Sequence, residues 1–404
     1  QGATVATMAI TKKSTVVLFT TLHGDHNLAN RYRILAASLA TAGLLAACGG
    51  GSGADTTPRA KITSVKVMGD SLSDSGTFGY KFTVQNATLT GAGSNQVWAE
   101  RVAGLYNISL CPRFNGTAFT PNTSCNNYAV GGGRINYTSA PTAPISITQQ
   151  ILLAGAAGFT ADDLAVIDGG ANDAADVIGA FLAASRDQGA NFKALLSTKI
   201  DAATLGALLQ QGQAGMAQAG GLYMQNLAKG YVSTIQANVL GKGATRVAIL
   251  NVPAITLTPR FQLVLQSVAQ QQGSAAAAQL ETVFDGWVKA FNQQVATGFA
   301  GESRVAIIDF YSEFRQQMAD PAQYAYTNVK KAACPATGVG ADGLPTYSFP
   351  TCTEAALSAS IPVGETSANW WKSYAFADSF HPTPYGHQQM SQLASRTLAR
   401  AGWL

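Results

Sequence analysis

Four short runs in this chain are almost continuously apolar: "ITSVKVM" (62–68), "LAVID" (164–168), "TRVAILNV" (245–252) and "RVAIIDF" (304–310). Unbroken apolar runs of this length predict strands buried on both faces, as in a parallel sheet. The intervals between them carry helical patterns. In the last one Met390, Leu393, Ala394 and Leu398 recur at three- and four-residue spacing after Pro384, which predicts an amphipathic helix begun by proline. Strands alternating with helices predict an α/β fold with helices on both faces of the sheet. A further strand is expected around 125–130. Residues 174–240, rich in Ala, Gln and Leu, predict several helices, and the Ala/Gln run at 268–280 predicts another. Residues 320–372, rich in Gly, Pro, Ser and Thr, read as a long loop.

The first 47 residues depart from this pattern. Arg31, Tyr32 and Arg33 precede "ILAASLATAGLLAA" (34–47), which is too short to span a bilayer but suits the apolar region of a signal peptide. Leu45-Ala46-Ala47-Cys48 is similar to the lipobox of bacterial lipoproteins, in which the cysteine is lipidated, and a Gly-rich linker follows it. The expected organisation is a leader over 1–47, a linker over 48–60 and one domain over 61–404. Residues 1–30 receive no assigned role. Export to the bacterial cell envelope, or secretion, is expected, with membrane association only through a lipid on Cys48.

Composition agrees with export, with charged residues at only 12%. Loss of the leader takes the formal net charge from +4 to about +1, so no electrostatic case exists for nucleic acid. Beyond Cys48, Cys111, Cys125, Cys334 and Cys352 remain, an even number that predicts two disulfides in an oxidising compartment. Three connectivities are possible, and local pairing, 111 with 125 and 334 with 352, is the simplest. No pair has C-x-x-C spacing and no histidine lies near, so no metal site is expected.

Catalytic chemistry near neutral pH needs a base, and histidine is the usual one. Of four histidines, His23 and His26 lie in the leader, leaving His381 and His387. His381 follows Asp378 by three residues in "ADSFHPTPYGHQQM", a spacing that lets the carboxylate reach the imidazole. His387 lies inside the last predicted helix and reads as a surface or packing residue. "IDGGANDAAD" (167–176) puts Asn172 just past a predicted strand, where ligands of open α/β sheets gather. Its amide can donate to an oxyanion, or Asn172 and Asp173 can cap the next helix. The glycine run in "NNYAVGGGRIN" (126–136) offers a backbone donor, or a plain turn. "VMGDSLSDSGTFG" (67–79) supplies a serine, Ser71, directly after the first predicted strand.

"GDSLSDSG", "NYAVGG", "GGAND" and "DSFHP" occur in the order of the four blocks of the GDSL esterase/lipase family, also called SGNH hydrolases, and the chain resembles that family from 67 to 387. The resemblance implies a flavodoxin-like three-layer α/β/α sandwich around a parallel sheet, with helical and disulfide-stapled insertions. It implies a Ser71, His381, Asp378 triad, an oxyanion hole of the Ser71 and Gly132 N–H groups with the Asn172 side chain, and no cofactor or metal. The implied activity is hydrolysis of carboxylic esters of lipids or small alcohols through an acyl-enzyme. Glycan deacetylation, phospholipase or acyltransferase activity are alternatives within the same fold, and a non-catalytic surface-binding lipoprotein is an alternative outside it. Trp370 and Trp371 are expected either to line the site or to pack the long loop. Asp74 is expected to serve as a cap or local hydrogen-bond partner.

Overall fold

The computed structural model of the protein describes residues 60–91 and 93–404. The expected leader and most of the linker, with Cys48, lie outside the described residues. Ala60, at the end of the expected linker, is already buried.

The four apolar runs form one sheet: β1 (Ser64–Met68), β2 (Asp163–Ile167), β3 (Val247–Leu250) and β4 (Val305–Ile308), in the order β1-β2-β3-β4. All three pairings are parallel, with Val67 opposite Val166 and Ile249 opposite Ile307. The strand expected at 125–130 does not form a regular ladder. The segment runs beside the free edge of β1 through three bonds: Val67 N to Asn126 O (3.0 Å), Tyr128 N to Val67 O (2.7 Å) and Val130 N to Gly69 O (3.2 Å). Counting it as an outer position gives the flavodoxin order 2-1-3-4-5, whose switch point falls between β1 and β2.

Helices cover both faces. They are α1 (Trp98–Gly104), α2 (Ile147–Ala157), α3 (Ala171–Asp187), α4 (Ala190–Leu196), α5 (Ala202–Leu209) and α6 (Gly212–Asn238). There follow α7 (Pro259–Gln272), α8 (Ser274–Gly298), α9 (Phe310–Ala319), α10 (Glu354–Ala359) and α11 (Pro384–Arg400). Alternation along the strands sorts the core. Met68, Ala165, Ile167, Val247 and Ile249 face a cluster with α2, α6 and α8. Val65, Val67, Leu164, Val166 and Leu250 face one with α1, α9 and α11. β2 and β3 are therefore buried on both sides and show no polar alternation, whereas the edge strand β1 carries half-buried Ser64 and Lys66 between its buried valines.

The Ala/Gln run at 268–280 is helical but broken at Gly273, whose φ of 92° ends α7 before α8 begins. Residues 320–372 hold more order than a loop. β5 (Asn328–Ala332) pairs in parallel with β6 (Tyr374–Phe376), and a short hairpin joins Gly338–Val339 to Pro345–Thr346. Disulfides join Cys111 to Cys125 and Cys334 to Cys352, the local pairing. Both fit an oxidising environment. Among the described residues no helix is long and apolar enough to cross a membrane.

Candidate active site

β1 ends at Met68, and the chain then turns through Gly69, Asp70 and Ser71 at the switch point. The Asp70 carbonyl accepts from the N–H groups of Ser73 (3.1 Å) and Asp74 (3.0 Å), and its carboxylate accepts from Leu72 N (3.0 Å). Asp168, the first residue past β2, clamps this turn from the neighbouring strand. Its Oδ1 accepts from Asp70 N (2.8 Å), and its Oδ2 accepts from the Ser73 hydroxyl, which in turn accepts from Trp98 Nε1 (3.0 Å). Gly69 has a packing reason to be glycine: a Cβ there would overlap the Asp168 carboxylate. Burial pushes the Asp168 carboxyl up to about 6. Burial and the adjacent Asp168 charge together hold Asp70 well above the usual carboxylate range.

The Ser71 hydroxyl lies 2.7 Å from His381 Nε2, and His381 Nδ1 lies 2.8 Å from Asp378 Oδ2. The other Asp378 oxygen accepts from the backbone N–H groups of Phe380 (2.7 Å) and His381 (2.5 Å), and Ala377 N donates to the His381 carbonyl (2.8 Å). The D-x-x-H spacing thus closes a small loop in which carboxylate and imidazole are fixed by the same backbone. Burial alone would raise the Asp378 carboxyl. The imidazole beside it and the two backbone donors outweigh burial and hold it below its ordinary value. The His381 ring sits among Phe82 (5.3 Å between ring centres), Phe349 (5.4 Å) and Phe380 (5.6 Å).

The other expected oxyanion donors come from the glycine loop and the start of α3. Gly132 has φ of 77°, where glycine is favoured. Its carbonyl accepts from Arg134 Nη1 (2.6 Å), while Arg134 pairs through Nε (2.5 Å) and Nη2 (2.9 Å) with Asp176. This fixes the peptide plane on the carbonyl side. Asn172, in the first turn of α3, donates from Nδ2 to the Gly133 carbonyl (2.9 Å), leaving its second amide hydrogen free. Among the described residues the N–H groups of Ser71 and Gly132 have no protein acceptor. Gly133 packs on the Gly69 carbonyl, 3.0 Å from where its Cβ would be, so the glycine loop lies directly against the Ser71 turn.

Other expected residues take different places. Asp173 caps nothing: α3 starts at Gly170 without a side-chain cap, and Asp173 accepts from Ile135 N (2.9 Å) and Asn136 N (2.8 Å) instead. Burial pushes its carboxyl up to about 6. Asp74 is a local partner, accepting from Gly76 N (2.8 Å) and Thr77 N (2.7 Å), yet no helix follows it, and its other oxygen reaches Gly131 N (2.7 Å). Trp370 and Trp371 are buried in loop packing, bonded to the Leu357 carbonyl (2.9 Å) and the Ser358 hydroxyl (3.1 Å). His387 is fully buried and accepts from Trp98 N (3.2 Å). Sequence reasoning missed Asp168, Arg134 and Asp176. Asp168 was inside the quoted "IDGGAND", but nothing in that string shows that its partners are the Asp70 backbone and Ser73.

A serine hydroxyl, an imidazole and a carboxylate linked in this order at the switch point of a parallel sheet form the arrangement used by serine hydrolases. The family model for GDSL-like lipase/acylhydrolase matches residues 65–394, and the chain belongs to that family. It is accordingly a hydrolase of ester bonds. No curated protein matches the chain.

Proposed function

We propose that this protein is a serine esterase or lipase that hydrolyses carboxylic acyl esters through an acyl-enzyme on Ser71. His381 Nε2 takes the Ser71 proton as Oγ bonds to the ester carbonyl carbon. The Ser71 and Gly132 N–H groups and the Asn172 amide receive the negative charge that develops on the carbonyl oxygen. When the C–O bond to the alcohol breaks, His381 returns the proton to the leaving oxygen. Water then repeats the sequence, its proton passing through His381 back to Ser71 Oγ as the acid departs. Asp378 holds the imidazole tautomer and stabilises the imidazolium.

The observation that carries this reading is the unbroken chain Ser71–His381–Asp378, at 2.7 Å and 2.8 Å. The phenyl rings of Phe82, Phe349 and Phe380 around His381 favour apolar esters over glycans as substrates. The proposal includes export, lipidation at Cys48 after loss of residues 1–47, and one hydrolase domain over 61–404 behind the linker. A fluorophosphonate probe tests the catalytic part. One adduct on Ser71 of the folded protein, lost in His381→Ala, is expected, whereas no adduct would favour a binding protein that kept the fold.

A further inference from the structure

Beside the candidate site runs a groove of about 790 Å³ between α3 and α7, edged by the 338–346 hairpin. That volume lies within the range of ordinary ligand pockets. The cavity directly behind Ser71 is only about 30 Å³, too small for more than a short acyl group. We propose that the groove is the acyl-chain subsite of this esterase, and that Gly179, by leaving its middle open, sets the chain length accepted. The inference rests on Ser71 being the nucleophile.

Two features connect the groove to the reacting centre. Asn172 stands at the start of α3, and Ala175, Gly179, Leu182 and Arg186 follow it at three- and four-residue steps, one face of the helix. An oxyanion held by Asn172 would therefore sit at the head of that face. From the other wall, Arg260 N in the first turn of α7 donates to the Ser379 carbonyl (2.8 Å). Phe261 meets Phe380 edge to face at 6.2 Å. Phe380 lines the small cavity with Ser71 and His381, and Phe261 lines the groove, so the two spaces share this aromatic pair as their partition.

Direction follows from the chemistry. The leaving oxygen must face His381 Nε2, whose ring is flanked by Phe82, Phe349 and Phe380. With the oxyanion at Asn172, the acyl substituent is placed toward the head of α3. The groove is lined by the apolar side chains of Ile178, Phe261, Val264 and Val268 and, over a similar area, by polar ones such as Gln266, Gln270 and Arg186. An alkyl chain would lie along the apolar strip. From Asn172 to Arg186 the helix rises about 21 Å, roughly the length of an extended long-chain fatty acyl group. Arg260 and Asp342, paired at 3.4 Å, tie the hairpin tip to the mouth of the groove. A Cβ at Gly179 would meet nothing within 4 Å, so a larger side chain there enters free space rather than core.

The test is kcat/KM on p-nitrophenyl butyrate, octanoate and palmitate in one detergent, for wild type, Gly179→Trp and Leu182→Arg, with folding checked by circular dichroism and melting. A methylene fully buried is worth about fourfold, and one in an open groove about twofold. Wild type should therefore gain from butyrate to palmitate. Each variant should stay within about twofold of wild type on butyrate and lose at least about tenfold on palmitate. Folded variants whose losses are equal at every chain length, or absent, would overturn the groove assignment while leaving the esterase reading intact. Wild type inactive on all three esters would overturn the esterase reading and the groove with it.

Discussion

The carboxylate of Asp168 occupies the space where a side chain at residue 69 would stand. That one contact joins β1 to β2 at the switch point and sets where the Ser71 N–H lies, since Asp168 Oδ1 also receives the Asp70 N–H at 2.8 Å. Gly69→Ala must push the carboxylate out or bend the turn. Overpacking of this kind costs about 1–3 kcal/mol and occasionally more. Urea unfolding should show a loss on that scale, with kcat falling alongside it. An alanine variant of unchanged stability and kcat would contradict the clamp.

Arg134 touches neither triad nor proposed oxyanion. It holds the Gly132 carbonyl at 2.6 Å and is itself held by Asp176. Arg134→Ala should therefore displace a donor rather than delete one. Removing a donor costs about 10²–10³ in kcat, which is the loss expected for Asn172→Ala, and a displaced donor should cost about tenfold. KM should change little in both. If Arg134→Ala raised KM and spared kcat, the arginine would be a substrate contact instead.

Two buried groups give opposite pH dependences. Asp168 is pushed up to about 6 by burial from an ordinary 3.8, so between pH 4 and 6 the folded state keeps a proton that the unfolded state has released. Its contribution to stability is full at low pH and fades as pH rises through that window. His387 is driven well below 6.5, by burial first and then by the nearby Arg101, His381 and Lys81 side chains. Below pH 6.5 the unfolded state binds a proton that the folded state refuses, so stability falls as pH drops. His387→Gln should flatten the acid side by about 1.4 kcal/mol per pH unit. Asp168→Asn should lose stability relative to wild type as pH falls from 6 to 4. Urea titrations across this range check both, and profiles parallel to wild type would contradict them.

The Cys334–Cys352 disulfide reaches into the site through the backbone. Cys334 N donates to the Ala377 carbonyl (2.7 Å), one residue before Asp378, and the Cys352 carbonyl accepts from Gln85 N (2.8 Å), three residues after Phe82. Phe349, within the closed loop, packs on His381. For cysteines 18 residues apart the chain-entropy cost of losing the crosslink is about 3 kcal/mol. Cys334→Ser with Cys352→Ser should lose stability on that scale and, while still folded, show a reduced kcat. A stable double variant with wild-type kcat would make the crosslink irrelevant to the site.

The four β-rich runs could be read directly because burial on both faces keeps their centres apolar, even where β1 carries Ser64 and Lys66. The 126–130 segment was harder, since it forms only isolated bridges, to Val67 on one side and Pro112 on the other, and no regular ladder. Ser71, Asn172, Asp378 and His381 stood out because each lies shortly after a strand, in a short string rich in Gly, Asp or Asn. Asp168, Arg134 and Asp176 did not, because each pairs across a long stretch of chain, Asp168 with Asp70 N and the Ser73 hydroxyl, Arg134 with Asp176. A carboxylate that accepts from a distant N–H leaves no local spacing to find. Trp370 and Trp371 were ambiguous for the opposite reason: an exposed-loop composition concealed indoles that bond to the loop itself.

The central claim is that Ser71 and His381 act as one unit, and kcat on a simple ester decides it. Ser71→Ala and His381→Ala should each lose about 10⁴-fold or more, and the double variant should lose no more than the worse single one, because groups that act together fail together. A folded Ser71→Ala protein within tenfold of wild type, or losses that multiply in the double variant, would contradict it.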